Sequence, residues 1–492
     1  MNAALSKKVY DYKPETVRTT IVTALRKKRG EATVADIIAA TGLPKYQVET
    51  EMLAVIDEFN GRLRVTDTGE LLFSFPHGFT SKYTGAGVFL RKIFKAITTG
   101  IKAAAVFLFK AWIMLMLIGY FVFFVALALL AFFASFAGGS SSRRDNRGSS
   151  GAGGFLAVRI IELIVRIWFY SELFKTPEER TAQYYRKQEA RKNSRPLHKA
   201  VFSFVFGEPD INKNHEELLR QLFIALVRAK KGIITIEDFI SLTGFEPEQA
   251  EQSICRYLYE FDGSPEVTDE GSLYYDFSKL LIRLDTEKNL NTASAFKQLQ
   301  PFSANNKQSN TLFAVINGVN LLFGGYFLYN AINYNPAMLK SEVSYLFYFT
   351  LTLFKSFEIA NPLAIITWAL GVVPLVFSAL FWLIPALRSM FLERDNERIK
   401  IENGRRYIYT QLSRAPLELD ESVFVDAPVF AMPEPRNRKK LLMETAAFEK
   451  ADVSEHERYV FSDYSRRFND IEKLRAKKEI ASPGNVIFDS HT

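Results

Sequence analysis

Three ionisable residues, Arg159, Glu162 and Arg166, interrupt the apolar run 155–174 at intervals of three and four. That spacing puts them on one face of a helix. A charge at mid-bilayer costs about 2.5–3.5 kcal/mol on insertion scales, so such groups face protein or water and often serve transport. Glu162 is therefore a candidate proton or cation site. The competing reading, favoured by the two flanking arginines, is an Arg–Glu–Arg stripe that pairs within a helix bundle or on an interfacial helix. Asn317, Asn320 and the pair Gly324–Gly325 pose the same choice between pore lining and the small or polar residues through which membrane helices pack. Packing is the commoner use.

Other chemistry is sparse. The five histidines, at 77, 198, 215, 456 and 491, include no two at metal-ligand spacing on one helix. Cys255 is the only cysteine, so no disulfide forms within the chain, and its position suggests a core residue. No glycine-rich phosphate loop, Gly-x-Ser-x-Gly elbow, His-Glu-x-x-His helix or dinucleotide fingerprint occurs. No enzymatic activity, cofactor or metal is expected.

The remaining charge clusters lie on two related segments. Val17–Phe75 and Leu219–Phe277 align without a gap at an offset of 202, with 20 identities in 59 positions. Random pairing would give roughly three or four, so this is an internal repeat. In each copy a first helix ends at a glycine (Gly30, Gly232). Thr33-Val-Ala-Asp36 and Thr235-Ile-Glu-Asp238 then have capping-box spacing and open a second helix. A Thr-Gly turn, a third helix from about Lys45 to Glu58, and a hairpin around Asp67-Thr-Gly69 follow. This order of elements resembles the winged-helix family, which often lays its third helix in the DNA major groove.

Charge argues against that use here. The third helix of the first copy carries Lys45 against Glu49, Glu51, Asp57 and Glu58, net −3 over 45–60. That of the second carries Arg256 against five acids, including Glu248 and Glu251, net −4 over 246–262. Such surfaces repel phosphate. The basic cluster 26–29 reads as a solvated helix end favoured by the helix dipole. Glu49, Glu51, Asp57, Glu58, Glu248, Glu251 and Arg256 are accordingly expected to form a protein-interaction surface.

The elements that carry these groups alternate with membrane segments. The 492-residue chain has net charge +8, and 43 phenylalanines concentrated in apolar blocks. Residues 111–137 hold no charge and would span a bilayer as a helix. Ahead of them, Arg91, Lys92, Lys95 and Lys102 lie on a basic amphipathic stretch suited to anionic headgroups. The run 155–174 is a weaker span, and 311–332 and 362–387 are two more. Residues 343–354 are too short to cross and read as interfacial or re-entrant. Eight basic and three acidic residues in 175–199, and seven and four in 388–414, mark both flanks as cytoplasmic.

The expected fold is a mainly α membrane protein with about four transmembrane helices and two small α+β winged-helix-like cytoplasmic domains. Its parts are domain 1 (15–77), a membrane-surface helix (86–110), a membrane hairpin (111–174), a basic linker (175–212), domain 2 (215–280), a second membrane block (311–388) and a charged cytoplasmic tail (389–492), partly ordered as an interaction arm. Val201–Asn212, an apolar run closed by a Gly/Pro/Asp turn, together with the module after it, resembles an uncharacterised family of bacterial and plastid polytopic membrane proteins. That resemblance implies no activity and no site. The expected function is a membrane-anchored scaffold or assembly factor, multi-pass in a bacterial inner membrane with both termini cytoplasmic. Its expected partners are anionic lipid headgroups and another protein or a further copy, not nucleic acid. A membrane-tethered transcriptional regulator and a transporter or channel subunit are the alternatives.

Overall fold

The structure is a computed structural model. It describes residues 12–28, 30–67, 69–76, 78–82, 86–137, 195–281, 295–335, 345–414, 418–454, 458–479 and 486–489. The first segment runs α1 (Pro14–Lys27), β1 (Glu31–Thr33), α2 (Val34–Thr41), α3 (Lys45–Phe59), β2 (Arg62–Thr66) and β3 (Leu71–Ser74). A long helix follows, α4 (Ala86–Met114) and α5 (Tyr120–Ala137), joined by a π-helical turn at Leu115–Gly119. Next come α6 (Leu197–Phe206), α7 (His215–Ala229), β4 (Ile233–Ile234), α8 (Ile236–Thr243), α9 (Pro247–Phe261), β5 (Ser264–Val267) and β6 (Leu273–Asp276). Then α10 (Lys307–Ile332) and α11 (Tyr345–Ser356) precede α12 (Pro362–Ile365), which passes through a π segment, Ile366–Val372, into α13 (Val373–Leu412). The chain ends with β7 (Glu418–Leu419), α14 (Pro435–Phe448), β8 (Asp452–Val453), β9 (Tyr459–Val460), α15 (Ser462–Lys477) and β10 (Val486–Asp489). The chain divides into two compact units.

The first unit comprises Met1–Arg91, Asp210–Gln300 and Glu393–Thr492. Its local structure follows from short-range chemistry. Helix α1 starts on Pro14, carries Glu15 in its first turn and Arg26 and Lys27 in its last, and buries Val17, Ile21 and Leu25 at helical spacing. Both expected capping boxes form: the Thr33 and Thr235 hydroxyls accept from the Asp36 and Asp238 amides, and each Asp carboxylate accepts from the threonine amide. Gly42 and Gly244 end α2 and α8 at φ of 71° and 67°, where a side chain would be strained.

The sequence led us to expect a two-stranded hairpin after each third helix. The structure adds a third strand, giving antiparallel sheets of order β1-β3-β2 and β4-β6-β5. Gly30 and Gly232, both at positive φ, turn the chain so that their carbonyls accept from Phe75 and Phe277 at 2.9 and 2.8 Å. β10 adds a fourth strand on the outer edge of β2, with Asp489 bonded to Arg64 at 2.7 Å. In the described residues of the tail, α14, α15 and a sheet of its own, β7-β9-β8, bury side chains in the unit's core.

Cys255 is exposed, contrary to the expected core position. On α9 the buried stripe is Ala250, Ile254, Tyr257 and Phe261, and Cys255 lies one residue off it. Leu53, its counterpart in the first segment, is exposed as well.

The second unit comprises Lys92–Pro209 and Pro301–Leu392. The described residues include three helices long and apolar enough to cross a membrane, Ile97–Ala134, Lys307–Ile332 and Pro362–Leu412, not the four expected spans. The fourth, 155–174, falls outside the described residues. No helix break separates the expected surface stretch 86–110 from the span after it. Lysine does not interrupt a helix: its stem packs on apolar surface while the ammonium finds a polar or aromatic partner. Lys110 does so over the Phe202 ring, 4.4 Å from its centroid.

Residues 345–356, which cover most of the expected short interfacial piece, form a twelve-residue helix whose Phe347 and Leu351 are buried. The segment ahead of the second module is helix α6, ended by Gly207 at φ 81°. Arg388 caps it, donating to Phe204 O at 2.9 Å and to Phe302 O at 2.6 Å. A Cβ on Gly207 would stand 2.3 Å from the Arg388 guanidinium.

Candidate interaction surface

The acidic third helices are where the sequence places a partner surface, and the structure distributes their side chains unevenly. Glu51 is buried, accepting from Arg18 Nε at 2.6 Å and Tyr12 OH at 3.1 Å. Asp57 lies 3.4 Å from Lys82 Nζ, and Glu58 accepts from Ser81 OH at 2.8 Å. Glu49, Glu248 and Glu251 are exposed apart from Lys45, 3.8 Å from Glu49. Arg256 is tied along its own helix to Glu260 at 2.7 Å.

The two third helices also meet each other. Lys45 Nζ lies 2.7 Å from Asp262, and the Tyr46 and Tyr259 rings are 5.7 Å apart. Of the expected surface, Glu49, Asp57, Glu248 and Glu251 are exposed carboxylates, whereas Glu51 is buried. Arg159, Glu162 and Arg166 lie outside the described residues. Arg91, Lys92 and Lys95 fall on α4, and Lys102 on the same helix is exposed.

Sequence reading missed the arginines of the C-terminal segment. Arg406 is 1% exposed and donates to Leu242 O at 3.0 Å, Thr243 O at 2.5 Å and Asn403 Oδ1 at 2.6 Å. Its fourth neighbour is His215 Nε2 at 3.3 Å. Burial, then the charges of Arg406 and Lys297, push His215 down to about 4. The imidazole is therefore neutral at pH 7 and accepts from the guanidinium.

A second node joins α8, α14 and α15. Arg467 bridges two buried carboxyl groups, Glu237 at 2.5 Å and Glu449 at 2.6 Å. Arg475 binds Asp238 and Ile233 O. Burial and the neighbouring Glu237 raise Glu449 to about 8, against the pull of Arg467. Burial works against ionisation of Asp238 too, but Arg475 and Lys230 hold its carboxyl below the ordinary range. These groups face one another rather than solvent, so the node links elements together. A run of Arg and Lys in a tail looks like a solvated helix until the carboxylates it meets, more than 200 residues earlier, are known.

In the membrane-helix unit the polar residues pack. Asn317 and Asn320 are fully buried and donate to Ser378 O at 2.9 Å and Leu117 O at 2.7 Å. Leu117 lies in the first π turn, and in the second Ala369 O accepts from Tyr120 OH at 2.9 Å. A π turn breaks the regular carbonyl ladder, and these side chains occupy carbonyls there. Gly324 allows the close approach of Gly371 and Leu375. An apolar groove of about 440 Å³, walled by Phe109, Trp112, Trp368 and Phe377 among others, offers almost no polar surface. Among the described residues no cluster of His, Cys, Asp or Glu converges as a metal site.

No protein-family model matches the chain. No solved structure matches it either. It is similar to an uncharacterised chloroplastic protein of Arabidopsis thaliana, at 23% identity over 485 residues covering 94% of this chain and 84% of the plant protein. The three membrane-crossing candidates and this likeness are compatible with a membrane protein.

Proposed function

We propose that the chain is a membrane-anchored scaffold or assembly factor without enzymatic activity. Val17–Phe75 and Leu219–Phe277 are two copies of a winged-helix-like module that bind protein rather than DNA. The observation that carries this reading is the meeting of the third helices through Lys45–Asp262 and Tyr46–Tyr259. Helices that pack on each other and carry net −3 and −4 are poor candidates for the major groove. Glu49, Glu248 and Glu251 remain open to a basic protein partner.

Both segments belong to one compact unit, which supports their lying on one side of the membrane. If Ile97–Ala134 crosses between them, the sequence offers 155–174, outside the described residues, as the run for a return crossing. Lys307–Ile332 and the apolar part of Pro362–Leu412 make a second pair, so both termini stay on the side of the modules. Basic flanks support that side as the cytoplasmic one, the reading is of a bacterial inner membrane, and the lysines and arginine of 91–102 bind anionic headgroups there.

The test uses the full-length protein in nanodiscs. Anisotropy titration with labelled duplex DNA at low salt is expected to show no binding, and salt-sensitive binding would refute the protein-binding reading. Photo-crosslinkers at Glu248 and Glu251 are expected to give saturable adducts with one protein. Adducts no stronger than those from a lipid-exposed control at Leu322 would remove the scaffold role.

A further inference from the structure

We infer that the C-terminal segment is a third, diverged copy of the module, and that the three copies are joined head to tail through one repeated joint. In that joint the turn ending the second helix of one copy seats on the first helix of the next. The inference rests on reading the two earlier segments as copies of one module.

The third copy is carried by topology and register. Its sheet, β7-β9-β8, has the order of β1-β3-β2 and β4-β6-β5. In each sheet the first strand pairs the residue two before a buried phenylalanine: Ala32 with Phe73, Ile234 with Tyr275 and Leu419 with Tyr459, ahead of Phe75, Phe277 and Phe461. The next residue caps a helix with its side chain in all three, as Thr33, Thr235 and Asp420.

The third helix ends alike as well. Asn60, Asp262 and Lys450 take φ of 50°, 55° and 53°, and the amide after each reaches back five residues, Gly61 to Ile56, Gly263 to Leu258 and Ala451 to Ala446. The hairpin is closed by an equivalent bond each time, from Thr66 to Glu70, Thr268 to Ser272 and Ser454 to Arg458, at 2.9–3.0 Å. The first helix of the third copy is the last part of α13. A shift of 185 positions carries the buried Phe223 and Val227 of α7 onto the buried Ile408 and Leu412.

The same shift reveals the joint. A Cβ on Gly42 would lie 3.3 Å from Glu217 O and 3.3 Å from Gln221 Cγ, both on α7. A Cβ on Gly244 would lie 2.4 Å from Glu402 O and 3.0 Å from Arg406 Cγ, both on α13. Glu402 and Arg406 are the counterparts of Glu217 and Gln221 at that shift. The polar contact repeats too: Gln221 Nε2 donates to Thr41 O at 3.5 Å, and Arg406 Nη2 to Thr243 O at 2.5 Å. Thr41 and Thr243 are themselves counterparts in the first two copies.

The Gly42 and Gly244 turns therefore each recognise the first helix of the next module. The third copy ends the series. Counting back from Glu434-Pro435, which matches Glu246-Pro247, the place of Gly244 is taken by Met432 at φ −107°. A methionine there denies the close backbone approach that glycine permits. A heterologous joint with no such cap could continue into open assemblies, and terminal copies of repeat proteins are commonly altered.

Hydrogen exchange by mass spectrometry on the full-length protein in nanodiscs tests both parts. Peptides from 435–461 are expected to be as protected as those from 45–75 and 247–277. Complete exchange of 435–461 at the first time point, with both earlier segments protected, would overturn the third copy and leave the two-module reading intact. Loss of protection in the earlier segments would instead strike that underlying reading. For the joint, Arg406→Ala is expected to speed exchange in 242–245 and 418–461 by about tenfold or more. Arg406→Gln, which copies Gln221 of the other joint, is expected to be clearly less affected. Glutamine as damaging as alanine, or an effect confined to α13, would overturn the repeated joint.

Discussion

Gly244→Ala gives a sharp test of close packing at this turn, because Gly271→Ala supplies its control. Both glycines have left-handed backbone, at φ 67° and 86°. An alanine at either costs about 1–2 kcal/mol for that conformation. Around Gly271 a new Cβ meets nothing within 4 Å, so its cost stops there. At Gly244 the Cβ would stand 2.4 Å from Glu402 O, roughly 1 Å inside ordinary contact, and the obstacle is helix backbone that no side-chain rotation relieves. Overpacking of this kind adds about 1–3 kcal/mol, for a total of about 2–5 kcal/mol.

Pulse proteolysis in urea, read on the first unit of the full-length protein, measures the difference. With a denaturant slope of about 2–3 kcal/mol/M, the Gly244→Ala midpoint should fall about 1 M further than that of Gly271→Ala. Gly42→Ala, whose nearest contacts are 3.2–3.3 Å, should fall between them. Equal midpoints for Gly244→Ala and Gly271→Ala would show that α13 does not hold the turn this closely.

Three further outcomes follow from buried polar groups. His215 titrates at about 4 when folded and near 6.5 when unfolded, so its contribution is complete above pH 6.5 and is lost as pH falls toward 4, a decline of about 3 kcal/mol. Urea midpoints at pH 7.5, 5 and 4 should fall less for His215→Gln, and parallel curves would contradict the neutral imidazole. Glu449 has the opposite slope. Its folded value of about 8 lies above its unfolded one, so stability is greatest below about pH 4.5 and declines until pH 8. Glu449→Gln should flatten that alkaline decline, and a steeper decline in the variant would refute the assignment. In the membrane-helix unit, Asn320→Leu and Tyr120→Phe each remove a donor to a π-turn carbonyl and should cost about 0.6–2 kcal/mol in detergent unfolding. No loss for either would mean that those carbonyls find other donors.

The limits of sequence reading are visible in particular residues. The threonine capping boxes, the Thr-Gly turns and the third helix of each early segment were legible because each is decided within about five residues. The long apolar helices were legible from hydropathy alone. The helix that carries Lys102 and Lys110 runs on without a break into the charge-free run, because a helix does not end at a lysine. Cys255 reads as a core residue, whereas the stripe Ala250, Ile254, Tyr257 and Phe261 shows by spacing which face is buried.

The C-terminal segment was opaque for a different reason. Its strands are two residues long, its turn lacks the glycine, and Glu449 is an ionisable residue at full burial. A buried carboxylate or guanidinium carries no local sign of its burial, because what offsets its desolvation arrives from distant chain. The capped helical frame of two related segments, and the apolar helices that separate them, follow from short stretches of chain read in order. Where the charges are used depends on contacts between distant parts of the chain: Glu51 against Arg18, Arg467 between Glu237 and Glu449, and Arg406 on the turn at Gly244. Local propensity is a property of neighbours in sequence, whereas the pairing of a buried charge belongs to the folded whole.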